Sequence, residues 1–220
     1  MQENINYQLA NEAQNGNTVR VEELLDDGAD PNAEDGQFYW TALMHAASEG
    51  HIETARLLLD QGADPNIKKK DDGMTALMLT TMFGNTETIN LLLDRGANPN
   101  IQNNEGKTAL MAAIGNESTE TIKLLLDRGA DPNIQDNHGW TALMCASGLL
   151  CRLDVMEMLI LADNTDVDIK EEGGRTALDL LKQEHPNDFY QCLEKLIGAL
   201  SRKEKTSPRN EKGTGFEFDI

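Results

Sequence analysis

The sequence predicts an all-α fold, a solenoid of helix-turn-helix units joined by β-hairpin-like loops. Two recurring phrases and the apolar stripe between them carry that expectation. Thr-Ala-Leu-Met starts at Thr41, Thr75, Thr108 and Thr141, with a shorter copy at Thr176, in steps of 34, 33, 33 and 35 residues. Gly-Ala-Asp-Pro-Asn starts at Gly28, Gly62 and Gly129, with Gly-Ala-Asn-Pro-Asn at Gly96. The stripe is Ile52, Ala55 and Leu57 to Leu59, repeated as Ile89 with Leu91 to Leu93 and Ile122 with Leu124 to Leu126. A unit of this size cannot bury its apolar faces alone, so a fixed period of this kind signals stacking on neighbours.

Each unit opens at its Thr, whose side chain can accept a free N–H of the first helical turn, and the following Ala favours helix. Gly50 and Gly84, nine residues after their Thr, supply the left-handed conformation that ends the first helix. The second helix runs to Gly62, Gly96 or Gly129, and the Pro three residues later prevents its resumption. An extended loop, 66–75 or 100–108, leads to the next Thr. In the fourth unit Glu117 replaces the turn glycine, and around Leu150 the fifth unit lacks it and carries an extra residue before Leu153. A side chain in a left-handed turn costs on the order of 1 kcal/mol, so both turns are expected to be rebuilt or looser. The first unit has Tyr7 where Thr would cap its helix, and residues 176–200 form a closing unit with Lys182, Glu184, Glu194 and Lys195 toward solvent. The expected units are 4–32, 33–66, 67–100, 101–133, 134–168 and 169–200. Stacked about 10 Å apart, they make a body roughly 50 to 60 Å long. Residues 201–220 read as a flexible tail.

These units resemble ankyrin repeats. Asn137, Gly139, Thr141, Leu143 and Ala146 match the front of that family's pattern, and Leu124 to Leu126, Gly129, Ala130, Asp131 and Asn133 match its back. The resemblance runs from about Leu9 to Leu200. The family's Pro is replaced by Ala42, Ala76, Ala109 and Ala142, and its His by Met44, Met78, Met111 and Met144. His45 stands one position later and is not the family histidine, so thioether packing replaces that residue's hydrogen bonds. The resemblance implies a non-catalytic module, a scaffold, adaptor or inhibitor, that takes a partner protein or peptide on a concave surface made by the loop tips and the exposed side of each first helix.

Carried over by register, the residue before each Thr forms a row on that surface: Trp40, Met74, Lys107, Trp140 and Arg175, which includes both tryptophans of the chain. Aromatic anchors favour interface centres. Phe38, Tyr39, Leu79, Met82 and Phe83 adjoin the row, and His45, Glu49, Asn116, Cys145 and Leu149 occupy comparable sites expected to be exposed. The expectation is one apolar groove over the second and third units, centred on Phe38, Trp40, Met74, Met82 and Phe83, that receives a peptide or a partner's helix. The competing reading has Phe38 and Tyr39 packed against adjacent loops.

Composition narrows the remaining classes. Against 38 acidic residues stand 19 basic ones, a net charge of -19, which repels phosphate backbones and anionic lipid, so neither nucleic acid nor a membrane is expected as a partner. Residues 201–220 hold Arg202, Lys203, Lys205, Arg209 and Lys212 against Glu204, Glu211, Glu217 and Asp219, net +1, which leaves -20 on the repeat body. Much of that charge comes from the repeated Asp at helix ends and loop junctions. Cys145, Cys151 and Cys192 are odd in number and have no Cys-x-x-Cys spacing, which argues against a disulfide framework or zinc site and for a reducing, cytoplasmic setting. No basic segment followed by an apolar run opens the chain, and no stretch approaches the roughly 18 apolar residues of a membrane span.

His45, His51, His138 and His185 fall at non-equivalent positions with no Ser or Cys in a triad arrangement. Asp163, Asp166, Asp168, Glu171 and Glu172 lack the residue order of an EF-hand loop and read as a solvated turn. Lys68-Lys69-Lys70, followed by Asp71 and Asp72, reads as a solvated loop tip, and no phosphate loop is present. No catalytic residue, metal or cofactor is assigned, and the chain is expected to be a monomer apart from its partner. Two other functions stay open: an ankyrin-type effector that an intracellular bacterium exports into the host cytoplasm, and an enzyme or enzyme subunit with a cryptic site. Gly215-Phe216-Glu217-Phe218-Asp219-Ile220 alternates like a strand ligand of a PDZ domain.

Overall fold

The computed structural model describes residues 5–148, 152–162, 164–187, 189–190, 193–195, 197–198 and 201. Helices come in pairs: α1 (Ile5–Gln14) with α2 (Thr18–Asp26), α3 (Ala42–Ser48) with α4 (Ile52–Asp60), α5 (Ala76–Phe83) with α6 (Thr86–Asp94), α7 (Ala109–Gly115) with α8 (Thr119–Asp127), and α9 (Ala142–Gly148) with α10 (Leu153–Leu161). A single helix α11 (Ala177–Glu184) follows, and the described positions from 189 to 201 are helical. The odd-numbered helices pack successively into one layer from α1 to α11, and α2, α4, α6, α8 and α10 form a second layer against it. Leu43, Leu77, Leu110 and Leu143 from the first layer and Leu24, Leu58, Leu92, Leu125 and Leu159 from the second fill the space between. The period seen in the sequence is therefore the period of the core.

The repeated Thr does what its position predicts. The side-chain oxygens of Thr41, Thr75, Thr108, Thr141 and Thr176 accept from the N–H three residues on, at 3.3 to 3.5 Å. In the first unit Tyr7 is not a cap: it lies inside α1, which begins earlier than the register implies. Gly50 and Gly84 both turn at φ +77. Glu117 is not rebuilt away from that geometry but adopts it, with φ +59. Neighbouring packing holds the turn, so the strain is kept rather than relaxed. Glu117→Gly is expected to raise stability by roughly 0.5–1 kcal/mol, read as a higher urea midpoint at unchanged slope. A lower midpoint would show that the Glu117 side chain contributes more than its backbone costs.

The phrase Gly-Ala-Asp-Pro-Asn proves to be a connector between units. Asn66 donates from Nδ2 to the Gly96 carbonyl and accepts from the Asn98 N–H. Asn32 makes the same two bonds to Gly62 and Asp64, and Asn100 to Gly129 and Asp131. The acidic residue of the phrase turns back on its own loop: Asp64 accepts the Asn66 N–H and Asp131 the Asn133 N–H. Asp64 and Asp131 are thus part of the joints.

Each loop is a short hairpin with an equivalent closing backbone bond, Asp35 N–H to Trp40 O, Lys69 to Met74, Asn103 to Lys107, Asp136 to Trp140 and Glu171 to Arg175. The loops of the third to sixth units are also tied edge to edge. Asn104 N–H reaches Asp72 O, Asn137 reaches Glu105 O and Glu172 reaches His138 O. Among the described residues no helix is long and apolar enough to cross a membrane. Leu149, Cys151, Asp163, Cys192 and the tail 202–220, with its strand-like end, lie outside the described residues, as does the fifth unit's turn.

Candidate functional site

The second unit's loop departs from the pattern of the others. Two residues before the capping Thr the later loops carry Gly73, Gly106, Gly139 and Gly174, all left-handed with φ of +75 to +82. At this position the first loop carries Tyr39, also left-handed, with φ +58. At Gly73, Gly106 and Gly139 the need for Gly is steric as well as conformational, whereas a β-carbon on Gly174 would meet nothing within 4 Å. A β-carbon on Gly73 would lie 2.4 Å from the Asn104 side chain, and one on Gly106 would lie 2.6 Å from the Asn137 backbone. Among the described residues no backbone hydrogen bond joins loop 34–41 to loop 68–75. Without that edge contact the position can carry a side chain, and both Phe38 and Tyr39 are solvent-exposed, 55% and 41%. They do not pack away against adjacent loops.

Below the tip, the loop is pinned by a buried polar pair that the sequence reading missed. His45 Nε2 lies 3.0 Å from Asp35 Oδ2, and both side chains are under a tenth exposed. The other Asp35 oxygen accepts the N–H groups of Gln37 and Phe38, at 2.9 and 2.8 Å. Burial pushes the Asp35 carboxyl up, but the His45 hydrogen bond and these N–H groups outweigh it and hold the group below its ordinary value. Trp40 sits over this pair, its ring 4.9 Å from that of His45. Lys69 Nζ lies 5.8 Å from the centre of the same ring, within cation–π range. Lys69 is also paired with Asp71 and Asp72, and Lys70 with Glu34. The lysine run is therefore no freely solvated tip: two of its members brace the aromatic loop, and Lys68 is exposed with no ion pair among the described residues.

Three residues expected on the exposed face, His45, Leu79 and Cys145, are corrected to buried. His45 is 6% exposed because it bonds Asp35, and Leu79 is 5% exposed because it packs into the first-helix layer. Cys145 is likewise buried, and burial pushes its thiol up to about 12, so it is no thiolate nucleophile at neutral pH. Glu49 and Asn116 are exposed. Along the row before each Thr, Trp40, Met74 and Trp140 are half-buried against the core. Trp140 folds back along its own helix, where a β-carbon on Gly148 would come within 3.1 Å of its ring. Lys107 is exposed and paired with Glu105. Arg175 is committed to the buried Glu171 at 2.9 Å, and this guanidinium, with the Gly173 N–H, holds the Glu171 carboxyl at about 2.

Met82 and Phe83 are exposed, 51% and 62%, but at the last turn of α5. They lie seven and eight residues beyond Thr75 at the loop end, roughly 10 to 12 Å along the axis. The single groove expected from register is thus two apolar patches, one at the loop tip and one at the far end of the first helix. Asn116 Nδ2 donates to the Met82 and Thr81 carbonyls there, which fixes the backbone that presents Phe83. Among the described residues no group of three or more His, Cys, Asp or Glu side chains is placed to hold a metal ion.

Comparison with known families agrees with this architecture. The family model of ankyrin repeats (3 copies) matches residues 9–103 and 80–171, well over half of the chain. No curated protein matches the chain.

Proposed function

We propose that this chain, which belongs to the ankyrin repeat family, recognises its partner protein through the aromatic loop of the second unit, as a non-catalytic scaffold, adaptor or inhibitor. Ankyrin repeats serve in general as protein-protein interaction modules. What supports a site at this loop is one observation: Tyr39, in a left-handed backbone conformation where four sister loops have Gly, is exposed beside an exposed Phe38. Strain of that kind persists where surrounding structure enforces it and is common at binding sites. Here the enforcing groups are Asp35, His45 and the Trp40–Lys69 stack. Large, rigid aromatic side chains contribute contact area at low entropy cost, and aromatic anchors favour interface centres.

The test is affinity capture from native cells with the wild type, Phe38→Ala and Phe83→Ala. Both side chains are more than half exposed, so neither change is expected to unfold the chain. A protein captured at fixed stoichiometry by the wild type and by Phe83→Ala, but at about a tenth of that yield or less by Phe38→Ala, is the expected result. Loss with Phe83→Ala alone would move the site to the end of α5. Equal capture by all three would overturn the assignment to this face.

A further inference from the structure

The apolar patch at the end of α5 is a local departure from the repeat and no part of its architecture. At the seventh and eighth positions after the capping Thr the second unit has Ser48 and Glu49, and the fourth has Gly115 and Asn116. The third unit has Met82 and Phe83 there, each more than half exposed. Phe83 makes no ring or cation–π contact among the described residues. Asn116 of the next unit donates to the Thr81 and Met82 carbonyls, so an ordered helix end presents the pair. Exposed apolar side chains with a polar rim are the form that contact surfaces take.

The rim is acidic. The segments that lead from first to second helix, 48–53, 82–87 and 114–120, carry Glu49, Glu53, Glu87, Glu117 and Glu120 and no Lys or Arg. All five carboxylates belong to exposed residues. Glu117 has Arg152 at 3.8 Å, whereas the other four have no ion pair or side-chain hydrogen bond among the described residues. Arg56 and Lys123, about one turn along α4 and α8 from Glu53 and Glu120, pair with neither. They temper the local field but leave it negative.

We infer that Met82 and Phe83 form a second docking surface, and that its occupant is a basic segment of a partner protein in which an apolar side chain is flanked by Lys or Arg. Charge complementarity selects that occupant. Units stack about 10 Å apart, so Glu49 and Glu117 stand roughly that far to either side of Phe83. In an extended segment two or three residues cover about 7 to 10 Å. With its apolar residue on Phe83, such a segment carries its flanking cations to Glu49 on one side and to Glu87 and Glu117 on the other. An acidic segment would instead face unpaired like charges, which disfavours it as a partner. This surface lies at the C-terminal ends of the first helices and the aromatic loop at their N-terminal ends, so the two can be occupied together. The inference does not depend on the loop assignment, and together they make the chain an adaptor that holds two proteins.

The probe is a synthetic peptide with a Leu pair between two runs of Lys, titrated against the purified full chain at low salt. Two comparison peptides carry Ser in place of Leu, or Glu in place of Lys. The wild type is expected to bind the Leu peptide about tenfold more tightly than the Ser peptide, and Phe83→Ala to bind both alike. Glu87→Lys is expected to weaken binding about fivefold more than Asp127→Lys. The latter makes the same change of charge on an exposed residue at the opposite end of α8 from Glu120. Affinity should fall steeply toward ~1 M salt, where the screening length is ~3 Å. Equal binding of the Leu and Ser peptides by the wild type, or undiminished binding by Phe83→Ala, would overturn the docking surface. Binding of the Glu peptide as tightly as the Lys peptide would overturn the occupant. So would equal losses in Glu87→Lys and Asp127→Lys, which would leave only diffuse attraction to an acidic body. Binding abolished by Phe38→Ala but kept by Phe83→Ala would assign the basic segment to the aromatic loop instead.

Discussion

His45→Ala is expected to lower stability by about 3 kcal/mol, because it removes the partner of a buried carboxylate. Asp35 keeps the N–H groups of Gln37 and Phe38 but loses the ring nitrogen at 3.0 Å. The Trp40 ring loses its neighbour at 4.9 Å, so the loss is partly packing. For a chain of this length the shift corresponds to roughly 6 to 12 °C in Tm. Leu79 occupies the same register in its unit and is buried, which shows that the site accepts an apolar group. The double variant Asp35→Ala/His45→Leu should therefore recover much of the loss. Acid provides a second readout. Asp35 has a folded pKa below its ordinary value of 3.8, so its contribution is complete above about pH 3.8 and is lost as pH falls through the lower folded value. Wild type and His45→Ala should converge in stability over that window. A loss under about 0.5 kcal/mol at neutral pH, or a double variant no better than the single, would mean that the pair does not anchor the loop.

This pair also marks the limit of what the sequence makes legible. The architecture was readable because each architectural residue recurs: Thr41 and Thr75 cap, Gly50 and Gly84 turn, and Leu43, Leu77 and Leu110 fill the core. Repetition separates the letters that build the unit from those that vary. It does not say which way a varying side chain points. His45 and Leu79 were expected at the surface because their position varies, yet both are buried. Variation there follows local partners, a carboxylate in one unit and an apolar contact in the next. The lysine run misled in the same way, since its apparent solvation was inferred from Asp71 and Asp72 alone. The aromatic ring of Trp40, thirty residues away in the preceding unit's loop, is brought to Lys69 only by stacking.

Glu117 and Tyr39 contrast usefully. Both are left-handed side chains at positions where sister units have Gly. The first substitution was visible as a missing glycine in a turn already recognised. The second was equally visible in the alignment, two residues before each Thr, but the Gly there had not been assigned a conformational role. Its significance rests on the steric fact that Gly73 and Gly106 face the next loop at less than 3 Å from a notional β-carbon. Only a loop without that edge contact can carry an aromatic residue, so the altered stacking of the second loop and the exposed ring are one structural change.

Tyr39→Gly should accordingly make the chain more stable and its partner complex weaker. Relief of the left-handed side chain at φ +58 is worth on the order of 1 kcal/mol, offset in part by the greater chain entropy of Gly, so a net gain of about 0.5 kcal/mol is expected in urea unfolding. An exposed aromatic anchor at an interface centre contributes about 2 kcal/mol or more, so the dissociation constant for the captured partner should rise by roughly 30-fold. Two further variants separate the ring from the loop. Tyr39→Phe retains backbone strain and aromatic area and is expected to bind within about threefold of wild type, the effect of one exposed hydroxyl. Tyr39→Ala retains the strain but not the ring, so it should be less stable than Tyr39→Gly by about 0.5 kcal/mol yet bind as weakly. If the glycine variant gains stability and binds the isolated partner as tightly as wild type, the strain at this loop serves no recognition. If Ala binds like wild type and only Gly fails, the partner reads the loop's rigidity rather than the tyrosine ring.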